Sequence, residues 1–270
     1  MDSNPELIQP EDWLSPDASG HSIPAILMHD GGGTTFAYHC LNSLSRPVYG
    51  IHNPNFRSGE PFEGSLPDLA RLYCGFVKEA VKSPEFPKRR NAQGKVRVIL
   101  GGWSFGGHLS LEMAKQLEQD GSGVQVIGIL MVDTIFPVAR SKAAKITKDD
   151  SKEEGKTKNQ ILADKAMADA RRMITDWTPP VWEAGQRPRI MLVRAKQAVP
   201  MDGEGVSLVD LSREERNLRW DAYEKDMFAQ IFDVEGHHFN MFSFENIDEI
   251  TKAMKEGLVE LELAAFGASK

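Results

Sequence analysis

A serine in a short glycine-rich stretch has the surroundings of a nucleophile. Residues 102–106 read Gly-Trp-Ser-Phe-Gly and fit the pattern G-x-S-x-G around Ser104. Apolar residues 98–100 predict a buried strand before it, and residues 108–117 predict a helix after it. A strand, a tight turn and a helix together hold such a serine strained and exposed. We therefore predict that Ser104 is a nucleophile and that the Phe105 N–H, at the start of the helix, points at an oxyanion formed there.

A serine hydroxyl is a poor nucleophile unless a base takes its proton. Four of the seven histidines fall in predicted loops after strands: His29, His52, His237 and His238. In enzymes built on this elbow the chain order is nucleophile, acid, histidine. The base is therefore expected at His237 or His238, after the last predicted strand. His29 and His52 are candidates for the mouth of the site, where they would contact substrate, or for a structural role.

The histidine in turn needs a carboxylate that fixes its tautomer and stabilises the imidazolium. Asp133 follows the predicted strand 124–132, which comes next after the nucleophile strand. Asp202, which follows the predicted strand 189–194, is the alternative. The sequence pattern alone does not decide which of the two aspartates is the acid.

A second oxyanion donor is expected from the loop after the first central strand. Gly31, Gly32 and Gly33 occupy that loop, and the absence of side chains would let a backbone N–H approach the substrate. Of the three we favour Gly32. The run lacks the G-x-G-x-x-G spacing of a dinucleotide-binding turn.

Strand and helix patterns alternate along the chain, which predicts an α/β fold with a mostly parallel, doubly wound sheet. Predicted strands cover 24–28, 47–51, 98–100, 124–132, 189–194 and 227–234, and predicted helices cover 36–44, 65–81, 108–117, 159–176, 212–224 and 248–265. Residues 1–22 show little periodicity and are predicted to form a loose arm. The whole chain, 1–270, is expected to be one domain.

Residues 138–186 are an insertion between two strands and contain no strand pattern of their own. Sites in such sheets lie beyond the carboxyl ends of the strands, so we predict that the insertion is a helical lid. Trp177 and Trp182 close the segment and are candidates for contacting substrate. Residues 140–158 carry seven basic and four acidic side chains, against a net charge of −7 for the chain.

The composition excludes several classes of protein. A net charge of −7 and a pI near 5.6 argue against nucleic-acid binding. Cys40 and Cys74 have no metal-ligand spacing and are interpreted as buried free thiols in a reducing compartment. Neither a membrane span nor a signal peptide is visible, so a cytoplasmic protein with no membrane partner and no metal is expected.

Five stretches together resemble one known family. They are 26–33 (Ile-Leu-Met-His-Asp-Gly-Gly-Gly), 47–51 (Pro-Val-Tyr-Gly-Ile) with Pro54, 101–107 (Gly-Gly-Trp-Ser-Phe-Gly-Gly), 130–133 (Leu-Met-Val-Asp) and 236–241 (Gly-His-His-Phe-Asn-Met). They resemble the thioesterase domains of polyketide and non-ribosomal peptide synthases, particularly those of fungi. The resemblance implies an α/β-hydrolase fold with a helical lid. It also favours Asp133 over Asp202 and His238 over His237.

The resemblance implies a serine thioesterase that releases an acyl chain from the phosphopantetheine arm of an acyl carrier protein. No cofactor of its own is expected, and the partners would be a carrier protein or a synthase. The basic stretch 140–158 is a candidate for meeting an acidic carrier protein. The alternatives are a carboxylesterase acting on small free esters and a non-hydrolytic partner of a synthase. Hydrolysis, cyclisation and transfer all remain open, as does whether the chain is free-standing or excised from a synthase.

Overall fold

The computed structural model describes residues 3–13, 22–137, 155–201 and 205–267, which are built around a seven-stranded sheet. The strands are β1 (Glu6–Gln9), β2 (Ala25–Met28), β3 (Val48–Ile51), β4 (Val96–Trp103), β5 (Val124–Val132), β6 (Arg189–Ala195) and β7 (Phe228–Val234). Their order across the sheet is β1-β3-β2-β4-β5-β6-β7. All neighbours are parallel except β1 and β3. The carboxyl ends of six strands therefore meet at one edge.

Helices cover both faces of this sheet. They are α1 (Phe36–His39), α2 (Leu66–Ala80), α3 (Phe105–Gln119), α4 (Lys158–Thr175) and α5 (Ile247–Gly267). Successive residues of a strand point to opposite faces. Ile129 and Met131 of β5 accordingly pack in one core cluster with α2 and α3. Leu130 and Val132 pack in a second cluster with α5. This double coverage explains why the β5 sequence is nearly continuously apolar rather than alternating.

Three predicted elements differ in the structure. The N-terminal arm contains β1, which pairs with β3 at the edge of the sheet. The predicted helix 36–44 ends at His39. The predicted helix 212–224 is wrong, because Leu218 and Arg219 have φ values of 50° and 68°, which interrupt a right-handed helix. A short 3₁₀ turn at Trp220–Ala222 lies in this region instead, and another at Leu208–Asp210 precedes it.

The lid prediction is partly covered by the structure. Residues 138–154 lie outside the described residues, and α4 follows them. A capping box starts α4, in which Thr157 accepts from the Gln160 N–H while the Gln160 side chain accepts from Thr157. Its far half is held by polar contacts, since Asp169 accepts from the Phe62 N–H at 2.8 Å. The helix is thus held over the loop between β3 and α2.

Two smaller expectations have different outcomes. Cys74 is buried as predicted, whereas Cys40 is exposed, because the short helix α1 ends before this residue and leaves it at the surface.

Within the described parts of the chain, none of the helices combines the length and the apolar character needed to cross a bilayer.

Candidate active site

Ser104 lies between β4 and α3 in a conformation that few non-glycine residues adopt. Its φ and ψ are 54° and −114°, which costs about 1–3 kcal/mol and persists only where neighbours enforce it. The Ser104 N–H donates to the Val132 carbonyl at 2.8 Å. Its carbonyl accepts from the Thr134 hydroxyl at 3.0 Å. The residues beside the end of β5 therefore lock the elbow in place.

Close packing explains two glycines of the elbow. A Cβ on Gly106 would lie 2.5 Å from the Met28 carbonyl oxygen, and one on Gly102 would lie 2.7 Å from the same atom. Only glycine lets α3 begin this close to the end of β2. Phe105 is the first residue of α3, so its N–H is among the helix donors that lack an intrahelical acceptor.

The structure brings Asp133 and His238 together from the ends of two strands. His238 Nδ1 lies 2.8 Å from Asp133 Oδ2, and both side chains are buried. Because a carboxylate only accepts, Nδ1 carries the proton and Nε2 is left as the basic nitrogen. The His238 ring lies 5.5 Å from the ring of Trp103, the residue before Ser104. The nucleophile, base and acid predicted from the sequence therefore meet at one edge of the sheet.

The charge on Asp133 is stabilised inside the protein. Burial alone would raise the pKa of this carboxyl, but hydrogen bonds from His238 and Arg213, together with their charges, hold it well below its usual value. Arg213 lies after β6 and makes a two-point contact with the carboxylate. Sequence reasoning missed this arginine. Its only local signal is Asp210, three residues earlier, which a surface ion pair would also produce.

The two alternative assignments, His237 and Asp202, have different outcomes. His237 is next to His238 but belongs to the turn, where its Nδ1 accepts from the Phe239 N–H at 3.2 Å. Asp202 lies outside the described residues. The partner of His238 in the structure is thus Asp133, and the catalytic roles of these residues stay predictions.

The loop predicted to supply the second oxyanion donor contains a carboxylate that sequence reasoning passed over. Burial raises the pKa of Asp30 to about 6, against the opposing effects of the His238 charge and of N–H donors from Gly32 and Thr34. The Gly32 N–H is therefore directed at Asp30, and its role at an oxyanion stays a prediction. An aspartate among glycines is typical of an ordinary turn, so the sequence carries no signal for its position beside His238.

Two of the four candidate substrate-contacting residues lie at the ends of β2 and β3. His29 is buried, with Nε2 2.6 Å from the Tyr73 hydroxyl and Nδ1 2.5 Å from the Asp30 carbonyl. Burial lowers the pKa of His29 to about 4, so the ring is neutral at pH 7. Both nitrogens are thus committed to the fold. His52 is half-buried after β3, and its carbonyl accepts from the Asn4 side chain.

The other two candidates, Trp177 and Trp182, follow α4 in the chain. Trp177 is buried, and its indole N–H donates to Glu112 of α3 at 3.0 Å. Trp182 is half-buried beneath Lys115, whose Nζ lies 5.0 Å from the ring centroid. These contacts tie the end of the insertion to α3. A role for either tryptophan in substrate binding stays a prediction.

A cavity of about 430 Å³ opens between α4 and the loop after β3. Its lining includes Asn53, Phe56, Leu162 and Lys165. Asn53, Phe56 and Ala166 of α4 also surround Gly33, where a Cβ would lie 3.1 Å from the Ala166 side chain. The cavity thus lies beyond the glycine loop, next to the end of the sheet that carries Ser104. Among the described residues, no three His, Cys, Asp or Glu side chains are grouped so as to hold a metal ion.

A strained serine after the central strand, with an aspartate–histidine pair on two later strands of a mostly parallel sheet, defines an α/β-hydrolase. Residues 24–256 match the family model of the thioesterase domain. The chain therefore belongs to the thioesterase family and is a hydrolase.

Relatives and solved structures agree with this assignment. The chain is 33% identical to thioesterase frbE of Dothideomycetidae sp. (strain 11243), covering 93% of each protein. It is 28% identical to nonribosomal peptide synthetase imqB of Aspergillus flavus, covering 95% of this chain and 8% of the synthetase. The NocB thioesterase domain from the nocardicin cluster has the same fold, with a TM-score of 0.61 at 21% identity over 91% of this chain and 96% of that domain.

Proposed function

We propose that this thioesterase releases a polyketide or peptide acyl chain from the phosphopantetheine thioester of a carrier protein in secondary metabolism. The observation that carries the proposal is the 2.8 Å contact between His238 Nδ1 and Asp133 Oδ2 at the same edge of the sheet as the strained Ser104. The family assignment makes the substrate bond a thioester. The names of relatives, which include a nonribosomal peptide synthetase, support the substrate class.

In the proposed mechanism Ser104 Oγ attacks the thioester carbonyl while His238 Nε2 takes the hydroxyl proton. Asp133 stabilises the imidazolium, and the Phe105 N–H, with a donor from the glycine loop, stabilises the oxyanion. When the C–S bond breaks, the imidazolium returns its proton to the leaving thiolate. The products of this step are an acyl-enzyme ester on Ser104 and free phosphopantetheine thiol.

The second half of the reaction repeats the proton transfer with a new nucleophile. His238 takes a proton from water, or from a hydroxyl or amine of the acyl chain or of another acceptor, and Ser104 recovers its proton as the ester breaks. Water yields an acid, an internal nucleophile a lactone or lactam, and an external one a transfer product. The protein needs no cofactor of its own, since phosphopantetheine arrives as part of the substrate.

A carrier protein or synthase is the proposed partner. The sequence-based expectation that the basic stretch 140–158 meets an acidic carrier protein concerns residues that mostly lie outside the described ones, including Lys142, Lys145 and Lys148. That docking role is carried forward as part of the proposal. Charge complementarity of this kind accelerates encounter and weakens with salt.

The test compares three substrates with the same acyl group: the carrier-bound thioester, its N-acetylcysteamine thioester and the matching oxygen ester. We expect release from both thioesters and an acyl adduct on Ser104 detected by peptide mass spectrometry. Faster turnover of the oxygen ester would instead indicate a carboxylesterase. Absence of turnover and of any adduct on all three would indicate a non-hydrolytic partner of a synthase.

A further inference from the structure

A buried arginine shares the carboxylate of Asp133 with His238. Arg213 Nη1 lies 2.6 Å from Asp133 Oδ1, and Nη2 lies 2.8 Å from Oδ2. Oδ1 also accepts a hydrogen bond from the Ala195 N–H at 2.9 Å, while Oδ2 accepts one from the His238 Nδ1–H. The four donors saturate the carboxylate and fix its plane, because both oxygens are held from two directions.

The guanidinium itself has no free donor. Besides the two bonds to Asp133, Nη1 donates to the Ala195 carbonyl at 3.0 Å and Nη2 to the Val209 carbonyl at 3.2 Å. Nε donates to Asp210 Oδ1 at 3.0 Å. All five N–H groups of an arginine are thus used. A side chain held this completely positions Asp133 rather than merely neutralising it from a distance.

Asp210 holds the arginine on its other side and is itself anchored. Its second oxygen accepts from the Val199 N–H at 2.7 Å, and its side chain is buried. Val199 belongs to the loop that follows β6. Asp133, Arg213 and Asp210 therefore form a row of buried charges that starts at His238 and ends at the backbone.

The signs in this row decide the charge that His238 meets. With the imidazole neutral, Asp133 and Asp210 each contribute −1 and Arg213 contributes +1, so that the row carries −1. Loss of Arg213 would leave two buried negative charges behind the imidazole. Loss of the Asp210 charge would instead leave the row neutral. The two changes thus alter the field at His238 in opposite directions.

The other charged or titratable groups around Asp133 and His238 either have partners of their own or are unchanged when Arg213 or Asp210 is replaced. From the strands, Arg194 of β6 pairs with Asp233 of β7, which Arg216 also contacts. From the loops come Asp30, which interacts with the His238 charge, the buried His29, the adjacent His237, and the exposed Glu235, which pairs with Lys196. None of them bonds to the Asp133 carboxylate, which is occupied by Arg213, His238 and the Ala195 N–H.

We propose that Arg213, held by Asp210, is a positioning residue for proton transfer by His238, an inference that rests on the proposed thioesterase mechanism. It fixes the Asp133 carboxylate toward His238 and cancels part of its charge. The imidazole therefore stays a neutral base at lower pH than an unpaired aspartate would allow, and the imidazolium gives up its proton to the leaving thiolate more readily.

The test measures the midpoint of the acid limb of kcat/KM against pH with a hexanoyl N-acetylcysteamine thioester, in Arg213→Gln and Asp210→Asn. Arg213→Gln should move the midpoint up by about one pH unit, and Asp210→Asn should move it down. A charge gained or lost a few ångströms from a titrating group shifts its pKa by that order. The matched control is Arg216→Gln, three residues further on and exposed, which should leave the midpoint unmoved. Arg213→Lys keeps the charge but not the two-point contact. It should keep the midpoint close to that of the wild type, with a kcat below the wild-type value.

A second readout does not depend on turnover. The imidazole signal of His238, labelled with ¹³C and assigned through His238→Gln, is titrated by NMR in the wild type and in the same variants. Opposite shifts of the His238 midpoint in Arg213→Gln and Asp210→Asn support the proposal. Equal midpoints, or shifts in the same direction, overturn it and leave Arg213 a structural residue.

Two further outcomes separate this inference from the proposed function. If Arg213→Gln does not fold, as judged by circular dichroism, Asp210→Asn carries the test and must lower the midpoint. If the titration shifts appear but neither thioester is turned over, the charge row is supported and the proposed function is overturned. Normal turnover with unmoved midpoints overturns only the role given to Arg213.

Discussion

The strand ends that carry Ser104, Asp133 and His238 differ from the lid helix α4 in what holds them. Asp133 is buried in four hydrogen bonds, and Ser104 is locked by backbone contacts to the end of β5. Helix α4, in contrast, buries one apolar face, formed by Leu162, Ala166, Ala170 and Met173. It adds polar contacts near its surface, such as those of the half-exposed Arg172. The predicted chemistry thus depends on strained and charged groups fixed at the sheet edge, whereas the access predicted for the insertion depends on a helix held by apolar packing and surface pairs.

The largest effect is expected from Ser104→Ala, which removes the nucleophile without disturbing the turn. We expect kcat to fall by about 10³-fold or more, with an unchanged circular dichroism spectrum and no acyl adduct. Near wild-type acyl release would show that the sheet edge is not the reacting side of the molecule. Ser104→Cys is expected to keep part of the thioesterase activity, because a thiolate is itself nucleophilic.

Replacing His238 should cost about as much as replacing Ser104, since members of one catalytic unit are not additive. His238→Gln removes the base, while the neighbouring His237→Gln alters a turn residue and serves as its matched control. Steady-state rates of the pair on a thioester measure the difference. A larger loss for His237 would move the base to that residue.

Asp133→Asn should lower kcat by about 10²–10⁴-fold, because the amide favours the wrong tautomer of His238. Asp202→Asn is the comparison, and its effect should be small. Thermal unfolding of both variants is recorded alongside, since Asp133→Asn also leaves Arg213 partly unpaired. The reverse ranking of rates would assign the acid to Asp202.

Stability in acid tests both regions, because His29 follows β2 at the sheet edge and His108 of α3 packs against Trp177, which follows α4. Burial lowers the pKa of both histidines to about 4, so the unfolded chain binds their protons first as the pH falls below 6.5. Asp30, with a pKa raised to about 6, opposes one of them by binding its proton first in the folded state. A net excess of one proton in the unfolded chain lowers the free energy of unfolding by about 1.4 kcal/mol per pH unit.

Urea unfolding between pH 6 and 4.5 measures that slope. His108→Gln or His29→Gln should each flatten it, because each removes one of the two protons taken up on unfolding. Asp30→Asn should steepen it, because the opposing group is gone. A slope that is the same in all four proteins would contradict the burial of these groups as neutral species.

The smallest effect is expected at the lid. Arg172→Met removes donors to the Phe62 and Gly64 carbonyls and the pair with Asp169. We expect KM for an acyl thioester to rise a few-fold, in keeping with about 1 kcal/mol for exposed pairs, with kcat nearly unchanged. Arg171→Met, at the neighbouring exposed position, is the control. A large fall in kcat would show that α4 shapes the reacting centre as well as access to it.

Sequence reasoning located the elements of the fold where the signal is local, and the catalytic roles stay predictions. The elbow around Ser104 and the strand that ends at Asp133 are contiguous patterns, and the family resemblance selected His238. It failed where distant residues meet, because Arg213 reaches Asp133 across 80 positions of chain. Residues 212–224 have helical periodicity, yet the positive φ angles at Leu218 and Arg219 end any helix there. Strand β1 was missed because four residues next to prolines give too short a pattern to distinguish from an arm.

The contact between Ala166 of α4 and the backbone at Gly33 has a consequence for the predicted oxyanion donor. Ala166 of the helix packs so closely on Gly33 that a side chain there would be crowded. Displacement of the helix would therefore remove a packing constraint on this loop. The loop belongs to the segment predicted to stabilise the oxyanion, so the proposed mechanism predicts that displacement of α4 would also loosen the expected oxyanion donor. In the proposed mechanism, movement of the helix and stabilisation of the oxyanion would therefore be linked through this one contact.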